Sequence, residues 1–112
     1  MLHRLIAQGE HQQQDFKYEI SDARKIARTL SAFANTDGGR LLIGVKDNGK
    51  IAGVHSDEEI YMVEAAASRY CVPPVQCHMS IHRVEGHNVV IAEVLPAEHR
   101  PVRAQLDDGK LC

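Results

Sequence analysis

The chain has 112 residues, a formal net charge of -2, 44% apolar and 25% charged residues. That is enough for one domain with a modest core and excludes a strongly basic, dedicated nucleic-acid binder, so any such role needs a local basic patch. No apolar run reaches the roughly 18 residues of a membrane helix, and three irregularly spaced cysteines argue for reduced thiols, so a cytoplasmic protein with no membrane contact is expected.

Residues 2–8 read as a short amphipathic helix, with Leu2, Leu5 and Ile6 on one side and Gly9 as its stop. In "QDFKYEI" (14–20), Phe16, Tyr18 and Ile20 alternate with Asp15, Lys17 and Glu19, the pattern of a half-exposed strand. Ser21 is then the expected N-cap, with Asp22 at the positive helix end. Ala23, Ile26, Ala27, Leu30, Phe33 and Ala34 keep the helical period to about Asn35. "RLLIGVK" (40–46) is a continuous apolar run, as in a central strand. "DNG" (47–49) predicts a tight turn, and "KIAGV" (50–54) the return strand.

Ser56 to Glu59 has the spacing of a capping box. The second helix turns Ile60, Val63, Ala66, Ala67 and Tyr70 inward and is expected to end at Pro73-Pro74. Strands over about 76–84 and 88–95 meet at Glu85-Gly86. In the first of them Cys77, Met79 and Ile81 form the expected inner face, with His78, Ser80 and His82 outside. A last extended segment spans about 102–106. The order β-α-β-β-α-β-β, after the short N-terminal helix, predicts a two-layer α+β domain with a mixed sheet and two main helices.

Gly38-Gly39 invite a phosphate-loop reading. Phosphate loops place their glycines before a helix, whose N-terminus offers free N–H groups and a positive dipole. Here the glycines follow a helix and precede a strand. A helix C-cap is the better reading, and Asp37 adds negative charge.

The stretch "GEHQQQDFK…IARTLSAFANTDGGRLLIGVKDNGKIAGV" resembles the Schlafen AlbA-type (AlbA-2) domain. The resemblance rests on Glu10, Asp15-Phe16-Lys17, Ala32 to Thr36 including Asn35, Gly38-Gly39, Leu42 to Val45 including Gly44, Asp47, Gly49, Ile51 and Gly53. Arg100-Pro101-Val102 resembles a later Lys/Arg-Pro segment of that family. It implies a nucleic-acid-binding module, often the N-terminal part of bacterial transcriptional regulators with a winged-helix or helix-turn-helix segment further on. Residues 1–112 are therefore expected to form one domain of a longer protein. Older descriptions of such proteins speak of ATP binding or helicases, which the order of helix and glycines does not favour.

Animal Schlafens use acidic residues and a divalent metal to cleave tRNA and rRNA. That implies a catalytic set of Glu10, Asp15, Lys17 and Asp47, with magnesium or manganese required only in that case; otherwise no cofactor is expected. Two departures count against it. Asp15 replaces the usual glutamate, and Lys46 stands where nucleases carry an acid. If the strand continues, Asp47 faces away from the other carboxylates.

For binding DNA or RNA, the first long helix offers Arg24, Lys25 and Arg28, and Lys17, Arg40 and Lys46 can add to them. No aromatic run is available for stacking bases, so backbone recognition is the expected mode. Cys71, Cys77 and His78 match no usual zinc spacing, even with His82 or His87 added, and no metal is expected there. A third reading is an interaction module that forms a homodimer through an exposed edge strand near the C-terminus.

Overall fold

A computed structural model describes residues 2–18, 22–54 and 56–105, apart from the Ser56 side chain. Its elements are α1 (Leu2–Ala7), β1 (Gln14–Lys17), α2 (Ala23–Ala34), β2 (Gly39–Ile43), α3 (Ser56–Arg69), β3 (Cys71–Val72), β4 (Cys77–Val84), β5 (His87–Val94) and β6 (Arg103–Ala104). Four strands form one sheet in the order β1-β2-β5-β4. The β1–β2 pair is parallel, the other two antiparallel, so the sheet is mixed. β3 and β6 make a separate antiparallel ribbon.

β2 is the axis of the fold. Leu41, Leu42 and Ile43 have no exposed surface. Their run is continuous rather than alternating because both faces of the strand are covered. Leu41 and Ile43 join Val90, Ala92 and Val94 under α2 and α3. Leu42 joins Phe16, Val89 and Ile91 on the other face, where Leu2, Leu5 and Ile6 of α1 close the cluster. The expected α+β fold with two main helices is therefore present, and the N-terminal helix patches the far face of the sheet.

α2 follows its helical period. Ile26, Ala27, Leu30, Phe33 and Ala34 are buried, while Lys25 and Arg28 face outward. Its cap is Asp22, one residue later than expected, whose carboxylate accepts the Arg24 N–H at 2.9 Å. Ser21 lies outside the described residues. At the far end the Gly38 N–H reaches back to the Phe33 carbonyl at 2.9 Å. Gly38 has φ +84, and a Cβ there would strike the Val94 carbonyl; a Cβ on Gly39 would strike the Phe33 ring. The glycine pair is thus the exit of a helix into a strand.

Several boundaries differ from the sequence reading, each for a local reason. β2 stops at Ile43 because Gly44 turns with φ +103. The expected return strand at 50–54 is reduced to a single bridge, Val45 to Ile51. Beyond it, the N–H groups of Ala52 and Gly53 both donate to the Gly44 carbonyl, and that of Val54 donates to Asn88, so no ladder continues. The turn at 47–49 is present, with Gly49 N–H on the Lys46 carbonyl at 2.8 Å. α3 ends at Arg69, before the prolines, because Cys71–Val72 are drawn off to pair with β6. The cap role expected of Ser56 falls outside the described side chains.

β1 ends at Lys17, so Tyr18 is half exposed (51%) rather than on the inner face; Ile20 lies outside the described residues. In β4, Cys77 and Met79 pack under the helices, but Ile81 is 50% exposed. The helical layer covers only the first half of that strand. Glu85 (φ 53) and Gly86 (φ 77) make the tight turn into β5. No described helix is long and apolar enough to cross a membrane.

Candidate nucleic-acid interface

β1 lies at one edge of the sheet, and its alternation sorts its side chains. Gln14 and Phe16 are buried on the α1 face. Asp15 and Lys17 take the α2 face and form an ion pair at 3.3 Å. Gln14 ties the edge down. Its amide donates to the carbonyls of Leu5 (2.6 Å) and Gly9 (2.8 Å), and its oxygen accepts from Arg40 Nε at 3.3 Å. Sequence reasoning missed this residue, although it stands two positions before Phe16, on the same strand face.

Glu10 sits on the outer edge of β1, where its carboxylate accepts the Phe16 N–H at 3.3 Å. The neighbouring Asp15 carboxylate, within hydrogen-bonding reach, holds the Glu10 carboxyl above its usual range. Partial burial and the charges of Asp15 and Asp47 push the same way, and the Phe16 N–H opposes them. Asp47 is therefore close enough for its charge to be felt. The strand alternation that would have turned it away ends at Gly44.

An open groove of about 860 Å³ runs between β1 and α2. Glu10, His11, Gln12 and Asp15 line one wall. Lys25, Arg28, Thr29 and Thr36 line the other, with Ala32 and Phe33 in the lining as well. Lys25 and Arg28 are three apart on one helix and so share a face.

The other cations are distributed elsewhere. Arg24 lies over the Tyr70 ring at 5.3 Å, on the margin of α2 toward α3. Arg40 faces the opposite side of the sheet, bonded to Gln14 and, at 3.5 Å, to Gln8. Lys46 stands over the Tyr18 ring at 5.1 Å, and both border a shallow recess with Asp47 and Asn48. Of the six basic residues expected to act together, Lys25 and Arg28 share the groove, and Lys17 stands by its acidic wall.

The signature residues Asn35 and Thr36 make structural contacts at the end of α2. The Asn35 amide donates to the Val102 carbonyl (2.9 Å) and its oxygen accepts the Val102 N–H (2.6 Å). Arg100 donates to the carbonyls of Asn35 (3.4 Å) and Thr36 (2.9 Å) at the end of α2. Thr36 Oγ1 bonds the Phe33 carbonyl at 3.1 Å. "AFANT" and "Arg-Pro-Val", far apart in sequence, form one joint.

A family profile described as "Schlafen, AlbA_2" matches residues 10–111. The chain belongs to this family. The joint just described brings together two stretches of the chain that resemble this family, Ala32 to Thr36 and Arg100-Pro101-Val102. A comparison with curated proteins gives no significant sequence match.

Several solved structures share the fold, two of which serve for comparison. One is the N-terminal domain of a putative ATP-dependent DNA helicase RecG-related protein from Nitrosomonas europaea, with TM-score 0.68 and 18% identity over 95% of this chain and 79% of that one. The other is the DIP2311 protein from Corynebacterium diphtheriae, with TM-score 0.65 and 24% identity over 89% of this chain. This Schlafen AlbA_2 chain spans only 20% of the length of the Corynebacterium protein.

The cysteines are not arranged for chemistry with the histidines. Strand alternation puts Cys77 under the helices, while His78, Ser80 and His82 line a small groove on the other sheet face with Arg40 and Glu93. Burial pushes the thiols of Cys71 and Cys77 up to about 11; neighbouring Cys71 and Glu64 add to the effect at Cys77. Among the described residues no group of three or more His, Cys, Asp or Glu side chains could hold a metal ion.

Proposed function

We propose that this Schlafen AlbA_2 domain binds the sugar-phosphate backbone of a nucleic acid along the α2–β1 groove, as one part of a longer regulatory protein. The observation that carries this reading is the shared placement of Lys25 and Arg28 on one wall of an open groove. Two cations on a rigid helix can each neutralise a phosphate, and the Thr29 hydroxyl can donate to a phosphate oxygen. The net charge of -2 fits a moderate, strongly salt-dependent affinity rather than tight coating of duplex DNA. Arg24, Arg40 and Lys46 serve other contacts in this arrangement. The test is binding of fluorescent single-stranded and duplex oligonucleotides of both DNA and RNA at low salt. Lack of binding to all four removes the proposal.

A second reading, metal-dependent phosphodiester cleavage, draws support from the crowding of carboxylates around Glu10. The oxygen donors of Glu10 and Asp15 suit magnesium or manganese, which accept one or two protein carboxylates when phosphate and water complete the shell. Such an ion would act as a Lewis acid toward the phosphate. Lys17 would stabilise negative charge on the phosphate, and Asp47 would contribute only its field. Against this reading, Lys17 already occupies Asp15 at 3.3 Å. Cleavage of tRNA that requires manganese and is lost in Glu10→Ala would establish it. The helix-to-strand order of Gly38-Gly39 weighs against ATP binding through a phosphate loop.

A further inference from the structure

The two edges of the main sheet are treated very differently. β1 is 4 residues long, and Glu10 occupies its outer Phe16 N–H. β4 is twice as long, contains no Pro, Gly or Lys, and pairs only with β5 among the described strands. Edges of this kind template pairing with another strand unless something blunts them.

The direction of the free backbone groups follows from the register. The Leu95 N–H donates to the Gln76 carbonyl at 3.3 Å, so Gln76 points inward to β5. Antiparallel ladders alternate. His78, Ser80, His82 and Val84 therefore also bond inward, which agrees with Val84 and His87 flanking the two-residue turn. The N–H and C=O groups of Cys77, Met79, Ile81 and Arg83 point outward.

The side chains around Ser80 read nearly the same in both directions: His78-Met79-Ser80-Ile81-His82. We propose that β4 pairs antiparallel with β4 of a second copy about a two-fold axis at Ser80. This register sets Met79 against Ile81 of the second copy and Cys77 against Arg83, all on outward-bonding positions. Each such pair exchanges two backbone hydrogen bonds. Ser80 meets its own counterpart at a non-hydrogen-bonded site. The exposed Ile81 gains an apolar neighbour at each of its two symmetric occurrences. An axis lying between two residues would set each outward-bonding residue against an inward-bonding one and form no ladder, whereas one at Met79 or Ile81 keeps the ladder but loses the Met79–Ile81 pairing. The proposal does not depend on the nucleic-acid reading.

Sedimentation of the full chain at tens of micromolar is expected to give a dimer. Ile81→Asp, at an exposed site, is expected to weaken it by at least about tenfold, with circular dichroism unchanged. Non-hydrogen-bonded partners lie about 4.5 Å apart at Cα, within disulfide reach. In a Cys77→Ser, Cys112→Ser background, oxidation of Ser80→Cys is therefore expected to give a linked dimer, and that of His82→Cys none. A monomer at these concentrations would overturn the proposal. So would a dimer indifferent to Ile81→Asp in which Ser80→Cys does not link. Should Ile81→Asp fail to fold, the position of the cross-link alone decides.

Discussion

Asn35 holds Val102 by both of its backbone groups, donating to the carbonyl at 2.9 Å and accepting from the N–H at 2.6 Å. The two residues are 67 positions apart. This one amide replaces a strand partner for Val102 and fixes the segment that leads into β6. It also explains why an asparagine stands at the end of α2: only a side chain with donor and acceptor in one plane makes both bonds.

Asn35→Ala leaves both groups of Val102 unpaired in a partly buried place. The expected loss is about 1–3 kcal/mol, read as a lower urea midpoint with unchanged slope. Asn35→Asp retains the acceptor and loses the donor, so it should fall between the two. Equal stability of all three proteins would show that water replaces the clasp without penalty.

Gly39→Ala tests the helix exit. The added methyl enters the Phe33 ring, and overpacking of this kind costs about 1–3 kcal/mol. Phe33→Leu alone is also destabilising. In the double variant, however, the alanine should cost less than in the parent, and thermal melts of the four proteins give the coupling.

Glu10 supplies a pH signature. Its carboxyl titrates above the usual 4.5 because Asp15 shares its proton. The folded state thus binds that proton more tightly than the unfolded chain does. The associated stability is fully present below 4.5 and is lost as pH rises through the raised value. Glu10→Gln, which keeps an acceptor for the Phe16 N–H, should therefore gain stability relative to the parent at pH 7 and lose that gain at pH 4. Asp15→Asn should bring the Glu10 titration down, as followed by carboxyl NMR.

The thiols of Cys71 and Cys77, pushed up to about 11, are almost wholly protonated at pH 8. Iodoacetamide should label them slowly in the folded Cys112→Ser protein and rapidly in urea. Fast labelling of either in the folded protein would contradict the packing of β3 and β4 against the helices.

Much of the fold was legible because its signals are local. The period of α2, the apolar run of β2 and the Asn48-Gly49 and Glu85-Gly86 turns each report their own neighbourhood. The helix-before-glycine order likewise identified the exit of α2. What was not legible depends on what covers a segment. Ile81 and Tyr18 continue an alternation past the point where packing partners or the strand itself stop. β3, two residues long, has no period to read. Asp47 was assigned by strand parity across Gly44, where parity no longer applies. At the site, Lys25 and Arg28 were readable from helical spacing. That Arg24 turns to Tyr70 and Arg40 to Gln14 depends on residues that sequence spacing cannot bring together.

The backbone-binding groove is tested most directly by the salt dependence of oligonucleotide affinity in the parent and in Lys25→Glu/Arg28→Glu. Both side chains project from α2 into the groove, so the variant should keep its fold and melting profile. The logarithm of the parent's affinity should fall linearly with the logarithm of salt concentration. The double variant should bind far more weakly, with the slope reduced by about two. Unchanged affinity and slope in a folded double variant would contradict the account.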